Sequence, residues 1–118
     1  MDNLIDVANV DEIESGVMVM FTTANGKELL IARVGDDFYC ADNRCPHMGG
    51  NLSEGSLDGT VVTCPRHHSK FDLKDGKVIQ WTDWSGIKLT AAKIFKSPRP
   101  LKTHEVKIEE GKIWVKDD

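Results

Sequence analysis

The sequence lacks a long hydrophobic segment, a secretion signal and any stripe of aromatic residues between basic ones. No run of about eighteen or more apolar residues occurs, so no membrane-spanning helix is expected. Residues 1–15, MDNLIDVANVDEIES, are acidic and lack the charged and then apolar pattern that directs export. The net charge of −4 and the missing aromatic–basic stripe argue against binding to nucleic acid.

Cysteine is scarce, and its count is odd. Three cysteines in 118 residues cannot form the disulfide framework of a small secreted domain. Thiols that stay reduced indicate a reducing compartment, so we expect a cytoplasmic protein. Cys40 stands in a strand-like run and is predicted to be a small buried thiol.

The apolar pattern is that of short β-strands. Strand-like runs occur at 17–21, 28–34, 38–41, 61–63, 70–73, 77–80, 104–108 and 112–115. Tight-turn pairs separate several of them: Asn25-Gly26, Asp58-Gly59, Asp75-Gly76 and Glu110-Gly111. This spacing predicts one all-β domain over 1–118, either a sandwich or a small barrel. Residues 43–56 and 81–102 break the pattern, and IKLTAAKIF at 87–95 is compatible with a short helix.

Charge is distributed unevenly along the chain. Residues 1–60 contain 11 acidic and 3 basic residues, whereas residues 61–118 contain 8 and 12, which sum to 19 and 15. The segment 85–104 holds five of these basic residues and no acidic one. It is either a docking face for an acidic partner or an ordinary solvated surface.

Two short motifs contain the residue types that bind metals. Cys45-Pro46-His47 and Cys64-Pro65-Arg66-His67 each combine one thiol with one imidazole, with residues 48–63 between them. Small zinc sites usually pair cysteine with cysteine and histidine with histidine, although a structural zinc domain stays an alternative. A site with two irons explains the mixed pairs, because the cysteines can hold one iron and the histidines the other. His104 stands alone in the sequence and gives no indication of a metal site.

This C-P-H and C-P-x-H pattern resembles the signature of Rieske iron–sulfur proteins. The segments DVANVDEIESG, DDFYCADNRCPH, LSEGSLDGTVVTCPRHHSKFDL and PRPLKTHEVKIEEGKIWV are similar to those of Rieske-type ferredoxins. The resemblance implies a Rieske-like antiparallel β-sandwich with a cluster-binding subdomain, roughly residues 43–80, formed by two loops. It also implies a 2Fe-2S cluster with four ligands, Cys45, His47, Cys64 and His67. His68 does not fit the motif, because many relatives have glycine there.

The implied ligand set has an electrical consequence. An oxidised two-iron, two-sulfide core with charge +2 becomes neutral with two thiolates, whereas four thiolates would make it a dianion. A neutral site accepts an electron more easily, so potentials of such centres span about −150 to +300 mV.

The resemblance also indicates residues that surround the cluster. The hydroxyl of Ser69 is expected to donate to a sulfur and raise the potential, unless it bonds only to backbone. Phe71 stands where quinol-oxidising relatives have a tyrosine. Backbone N–H groups within residues 46–49, which include Met48, and within residues 65–69, which include His68, are expected to donate to sulfur, except at the prolines that begin each range. Pro98 and Pro100 resemble the proline loop that covers the cluster in this family.

As a function, the resemblance implies a one-electron carrier rather than an enzyme. Its partners would be a flavin-dependent reductase as donor and a terminal oxidoreductase, such as a Rieske oxygenase, as acceptor. The alternative is a redox-active subunit of a larger complex, similar to the small subunit of nitrite reductase. Membrane quinol oxidation is disfavoured, because Gly50 and Arg66 occupy the positions where those proteins have two further cysteines.

Overall fold

The computed structural model describes residues 4–46, 50–65, 68–80 and 100–116. Within these ranges the chain forms eleven β-strands and two short 3-10 turns. The strands are β1 Leu4–Asn9, β2 Met18–Thr22, β3 Glu28–Val34, β4 Asp37–Asp42, β5 Ser56–Asp58, β6 Val61–Thr63, β7 Lys70–Asp72, β8 Val78–Gln80, β9 Thr103–His104, β10 Val106–Glu109 and β11 Lys112–Lys116. The 3-10 turns are Val10–Glu12 and Leu52–Glu54. The all-β prediction is confirmed.

The strands form three antiparallel sheets. The first has the order β1-β11-β10, the second β2-β3-β4-β9 and the third β5-β6-β7-β8. The first two sheets share one apolar core. That core contains Ile13, Leu29, Ile31, Cys40, Ile113 and Val115. Inward-facing residues from both sheets therefore make the sandwich that was expected.

The predicted tight turns connect neighbouring strands. At the first hairpin the N–H of Gly26 donates to the carbonyl of Thr23 at 2.9 Å, and Gly26 has a φ of +86°. Only glycine adopts that left-handed backbone without a steric cost, which explains why the Asn-Gly pair marked this turn.

One predicted strand is wrong in its extent. The run 104–108 divides at Glu105, where the chain leaves one sheet and enters another. His104 pairs with Cys40 of β4, whereas Val106 pairs with Val115 of β11. A continuous strand would keep both in one sheet, and the bend lets the chain contribute to both layers. β1 and β5 were not predicted, and the possible helix at 87–95 lies outside the described residues.

A second apolar core lies under the third sheet. It contains Leu30, Ala32, Ala41, Cys45, Leu52, Val62, Cys64, Phe71, Leu73 and Leu101. β3 and β4 contribute to both cores because successive side chains of a strand point to opposite faces. The third sheet, together with Cys45 and Leu52 from the chain before it, therefore packs directly on the sandwich. Within the described ranges, no helix has the length and apolar composition needed to cross a membrane.

Candidate metal centre

The first of the two motif loops, which connects β4 to β5, holds Cys45 by backbone hydrogen bonds. The N–H of Cys45 donates to the carbonyl of Gly50 at 2.8 Å, and the N–H of Leu52 donates to the carbonyl of Asn43 at 2.7 Å. The side-chain oxygen of Asn43, which is fully buried, accepts the N–H of Ser53 at 2.8 Å. These three bonds close the loop on itself and fix the backbone that presents the Cys45 thiol.

The second loop follows β6 and returns as β7. Cys64 comes directly after Val61–Thr63, and its N–H donates to the carbonyl of Ser69 at 2.8 Å. This bond closes the loop at its base. The two loops also meet, because a Cβ at Gly55 would lie 1.8 Å from the carbonyl oxygen of Thr63. Only a residue without a side chain lets the first loop approach so close to the residue before Cys64.

The two motif cysteines lie in the same apolar core. Cys45 is 2% exposed and Cys64 is 1% exposed, and both belong to the core under the third sheet. All three cysteines of the chain lie in the described part, and none forms a disulfide. Two buried, reduced thiols on separate loops are the donors that an iron–sulfur cluster requires. With the imidazoles that the sequence places beside them, the donor set fits such a cluster.

Several predicted site residues belong to the ranges 47–49, 66–67 and 81–99. His47, Met48, His67 and Pro98 lie outside the described residues, so their ligand and neighbour roles stay predictions. Among the residues that are described, no three of the types His, Cys, Asp and Glu come together as a metal site.

The described neighbours of the second histidine motif differ in exposure. Pro65 and His68, on either side of residues 66–67, are both exposed. Ser69 is fully buried, and its backbone carbonyl is the acceptor for Cys64. Phe71 is also fully buried and packs in the core under the third sheet. Pro100 is exposed, whereas the next residue, Leu101, is buried in that same core.

His68 keeps the backbone conformation that a glycine would adopt. Its φ is +58°, in the left-handed region, although it has a side chain. Glycine adopts this conformation without a steric cost, so a side chain at position 68 adds local strain.

Sequence reasoning missed an ion pair beside the first loop. Nε2 of His104 lies 2.7 Å from Oδ1 of Asp42, and Nζ of Lys27 lies 3.8 Å from the same oxygen. The His104 side chain is completely buried. Asp42 lies close to the first loop, because it is three residues before Cys45 in the sequence. The pair joins β9 to the end of β4. No local pattern could reveal it, because its partners are far apart in the sequence.

Cys40 is a different kind of thiol from a metal ligand. It is 1% exposed on β4, and burial, followed by the negative charge of Asp42, raises its pKa to about 12, against a smaller opposite effect of Lys27. The thiolate is the form that binds metals, so a thiol that stays protonated is a poor ligand. The prediction of a small buried thiol is confirmed.

Comparisons with known proteins identify the family. The model of the Rieske [2Fe-2S] domain family matches residues 3–94. The ferredoxin component of the naphthalene 1,2-dioxygenase/salicylate 5-hydroxylase systems of Ralstonia sp is 33% identical over 114 residues, which are 97% of this chain and 95% of that protein.

Solved structures agree with the sequence relatives. A chain in the complex of reduced oxygenase and oxidized ferredoxin in carbazole 1,9a-dioxygenase matches with a TM-score of 0.78 and 27% identity, over 98% of this chain and 94% of that one. The ferredoxin of Sphingomonas yanoikuyae B1 matches with a TM-score of 0.77 and 25% identity, over 98% of this chain and 100% of that one.

These relatives are ferredoxin components, which transfer electrons within an oxidoreductase system and do not themselves convert the substrate. The expectation of an electron carrier with a Rieske 2Fe-2S cluster is therefore confirmed. The chain belongs to the Rieske [2Fe-2S] domain family and is a Rieske-type ferredoxin.

Proposed function

We propose that this ferredoxin accepts one electron from a flavin-dependent reductase and passes it to a terminal oxygenase. The observation that supports this most directly is the position of the two motif cysteines, buried in one core at the ends of two loops. The relatives named as dioxygenase ferredoxin components, and the matching chain from a complex with an oxygenase, favour an oxygenase as acceptor.

Four residues would hold the cluster: Cys45 and Cys64 through sulfur, and His47 and His67 through nitrogen. When bound, the cluster supplies a site that takes up and releases a single electron. The histidine ligands would distinguish this chain from a four-cysteine ferredoxin, because they raise the potential into the range of about −150 to +300 mV that Rieske centres span.

The protein's own contribution is to shield the cysteine side of the cluster from water and to leave the histidine side accessible to a partner. The thiols lie among apolar side chains such as Leu52, Val62 and Leu101, so the thiolate side is shielded. Pro65 and His68 are exposed on either side of residues 66–67, which supports a position of His67 near the surface. An electron would then have a short path to a partner that docks there.

Hydrogen bonds within the protein hold the backbones of both loops in place. Hydrogen bonds at Cys45 and Cys64 fix both loops within the protein, and the pair Asp42–His104 joins the end of β4, just before the first loop, to β9. A donor set that does not move when the charge changes lets the electron enter and leave with little rearrangement. We place the cluster-binding subdomain at roughly 43–80 within a single domain, 1–118, and the protein in the cytoplasm, where thiols stay reduced.

The test is electron transfer between purified components under anaerobic conditions. With NADH and a trace of a flavin-dependent reductase, the visible spectrum of this ferredoxin should bleach, and an oxygenase component should restore it. If dithionite reduces the protein but the reductase and oxygenase do not exchange electrons with it, the proposed partners are wrong. Gel filtration of the native protein then distinguishes a monomeric carrier from a subunit of a stable large complex.

A further inference from the structure

The second loop contains a strained residue near its base. His68 has a φ of +58°, and Glu110, in the tight turn between β10 and β11, is the other non-glycine residue with positive φ in the described ranges. A side chain in the left-handed region crowds the backbone, so another contact must favour this conformation. In the sequence, His68 directly follows His67, one of the proposed cluster ligands.

A side chain from β8 contacts this strained residue. Nε2 of Gln80 donates to the carbonyl oxygen of His68 at 3.0 Å. The contact spans twelve residues of sequence and comes from a different strand, so it is not a local property of the loop.

An irregular strand pairing brings Gln80 to this position. Phe71 pairs with Val78, but Lys70 pairs with Gln80, so Ile79 is an extra residue in β8. Such a β-bulge turns the following side chain toward a different neighbour. Without the bulge, Ile79 would stand opposite Lys70, and the Gln80 side chain would face the other side of the sheet.

Two consecutive carbonyl groups of the loop are therefore hydrogen-bonded, one by a side chain of β8 and one by the base of the loop itself. Gln80 bonds to the carbonyl of His68, and the N–H of Cys64 bonds to the carbonyl of Ser69. These two bonds hold the backbone of His68 and Ser69, the two residues that follow His67 in the sequence.

We propose that Gln80 is a positioning residue for the second cluster-binding loop, because its hydrogen bond keeps His68, the residue next to the proposed ligand His67 in the sequence, in the left-handed conformation. The inference rests on the proposed function, because His67 matters only as a ligand. Gln80 itself does not touch the cluster in this account. The bond compensates for a residue other than glycine at position 68.

The experiment compares Gln80→Leu in three backgrounds of the loaded protein. Leucine has nearly the size of glutamine and cannot donate a hydrogen bond. The backgrounds are the unchanged chain, His68→Ala, which removes the imidazole but keeps a strained side chain, and His68→Gly, which removes the strain. The measurements are the first-order loss of visible absorption in a chelator, the midpoint potential, and the paramagnetic resonance spectrum of the reduced protein.

In the unchanged chain and in His68→Ala, Gln80→Leu should speed cluster loss roughly two- to ten-fold, the factor for one net hydrogen bond. The potential and the resonance spectrum should shift in the same two backgrounds, because both depend on ligand orientation. In His68→Gly the substitution should change the rate by less than about two-fold, since glycine needs no support at this φ.

Equal effects in all three backgrounds would overturn the proposal, because Gln80 would then stabilise the fold without regard to the strain. No effect in any background would overturn it as well. If the unchanged chain contains no iron and gives no Rieske signal, the proposed function fails, which is a separate result that the first sample reveals.

Discussion

Gly76 offers a sharp test of how the chain after residue 99 packs on the turn between β7 and β8. Its φ is +79°, and a Cβ built there would lie 2.0 Å from the carbonyl oxygen of Leu101. The N–H of Leu101 donates to the carbonyl of Gly76 at 2.9 Å, so this approach is part of the bonded structure. Leu101 is 3% exposed and shares a core with Cys45 and Cys64.

Gly76→Ala therefore has two costs. A side chain in the left-handed region costs about 1–3 kcal/mol. Displacing the Leu101 backbone to relieve the clash adds about 1–3 kcal/mol, as overpacking does elsewhere. The sum is roughly 2–6 kcal/mol, a large part of the stability of a domain of this size.

Gly26→Ala is the matched control. Gly26 has nearly the same φ, +86°, but a Cβ there would have no neighbour within 4 Å among the described residues. The difference between the two variants isolates the contact with Leu101. At about 4 °C per kcal/mol, Gly76→Ala should melt roughly 4–12 °C below Gly26→Ala.

The assay is thermal unfolding of the loaded proteins, monitored by circular dichroism and visible absorption. Both variants are heated at the same scan rate, because cluster loss makes the transition irreversible and its midpoint then depends on the rate. The visible signal of Gly76→Ala should decay early, since Leu101 packs in the core that contains both thiols. Equal melting temperatures for the two variants would refute the close packing of Gly76 on Leu101.

Three further predictions concern the motif and its surroundings. His67→Ala should abolish the Rieske spectrum while His68→Ala retains it, and the reverse pattern would show that the ligand assignment is wrong. Ser69→Ala should lower the midpoint potential by about 40 mV if its hydroxyl donates to sulfur, the equivalent of about 1 kcal/mol for one electron; an unchanged potential would mean that the hydroxyl reaches no sulfur. The pKa of Cys40, about 12 in the folded chain and 9.0 as its ordinary value, means that the folded form keeps a proton that the unfolded form releases. Unfolding free energy should therefore fall by about 1 kcal/mol per pH unit from pH 9 towards 12, relative to Cys40→Ala, and identical pH dependence in both proteins would contradict the burial of this thiol.

Local patterns were sufficient for much of the fold. The run 28–34 and the pair Asn25-Gly26 contain their own strand and turn preferences, and the structure has β3 and the hairpin there. The two cysteine motifs were equally visible, because metal ligands need particular side chains at short spacing. Their meeting in one core follows from the sheets, which local patterns do not specify.

What sequence reasoning missed depends on contacts between distant segments. The division at Glu105 arises because residues 103–104 and 106–109 pair with different sheets. The Asp42–His104 pair joins residues 62 positions apart. Gly55 stands in the segment 43–56 with other glycines, and the sequence does not show that its backbone approaches the carbonyl group of Thr63. None of these features has a local sequence signal, because each depends on a contact that only the folded chain creates.

The central claim, a Rieske cluster that transfers single electrons, is tested most directly by a redox titration of anaerobically purified protein. Metal and sulfide analysis accompany the titration, and paramagnetic resonance follows it at several pH values. We predict iron and sulfide in equal amounts and a Rieske-type signal in the reduced form. The midpoint should lie within about −150 to +300 mV, toward the low end, and should not vary with pH near neutrality. Zinc in place of iron, with no signal on reduction, would contradict the account.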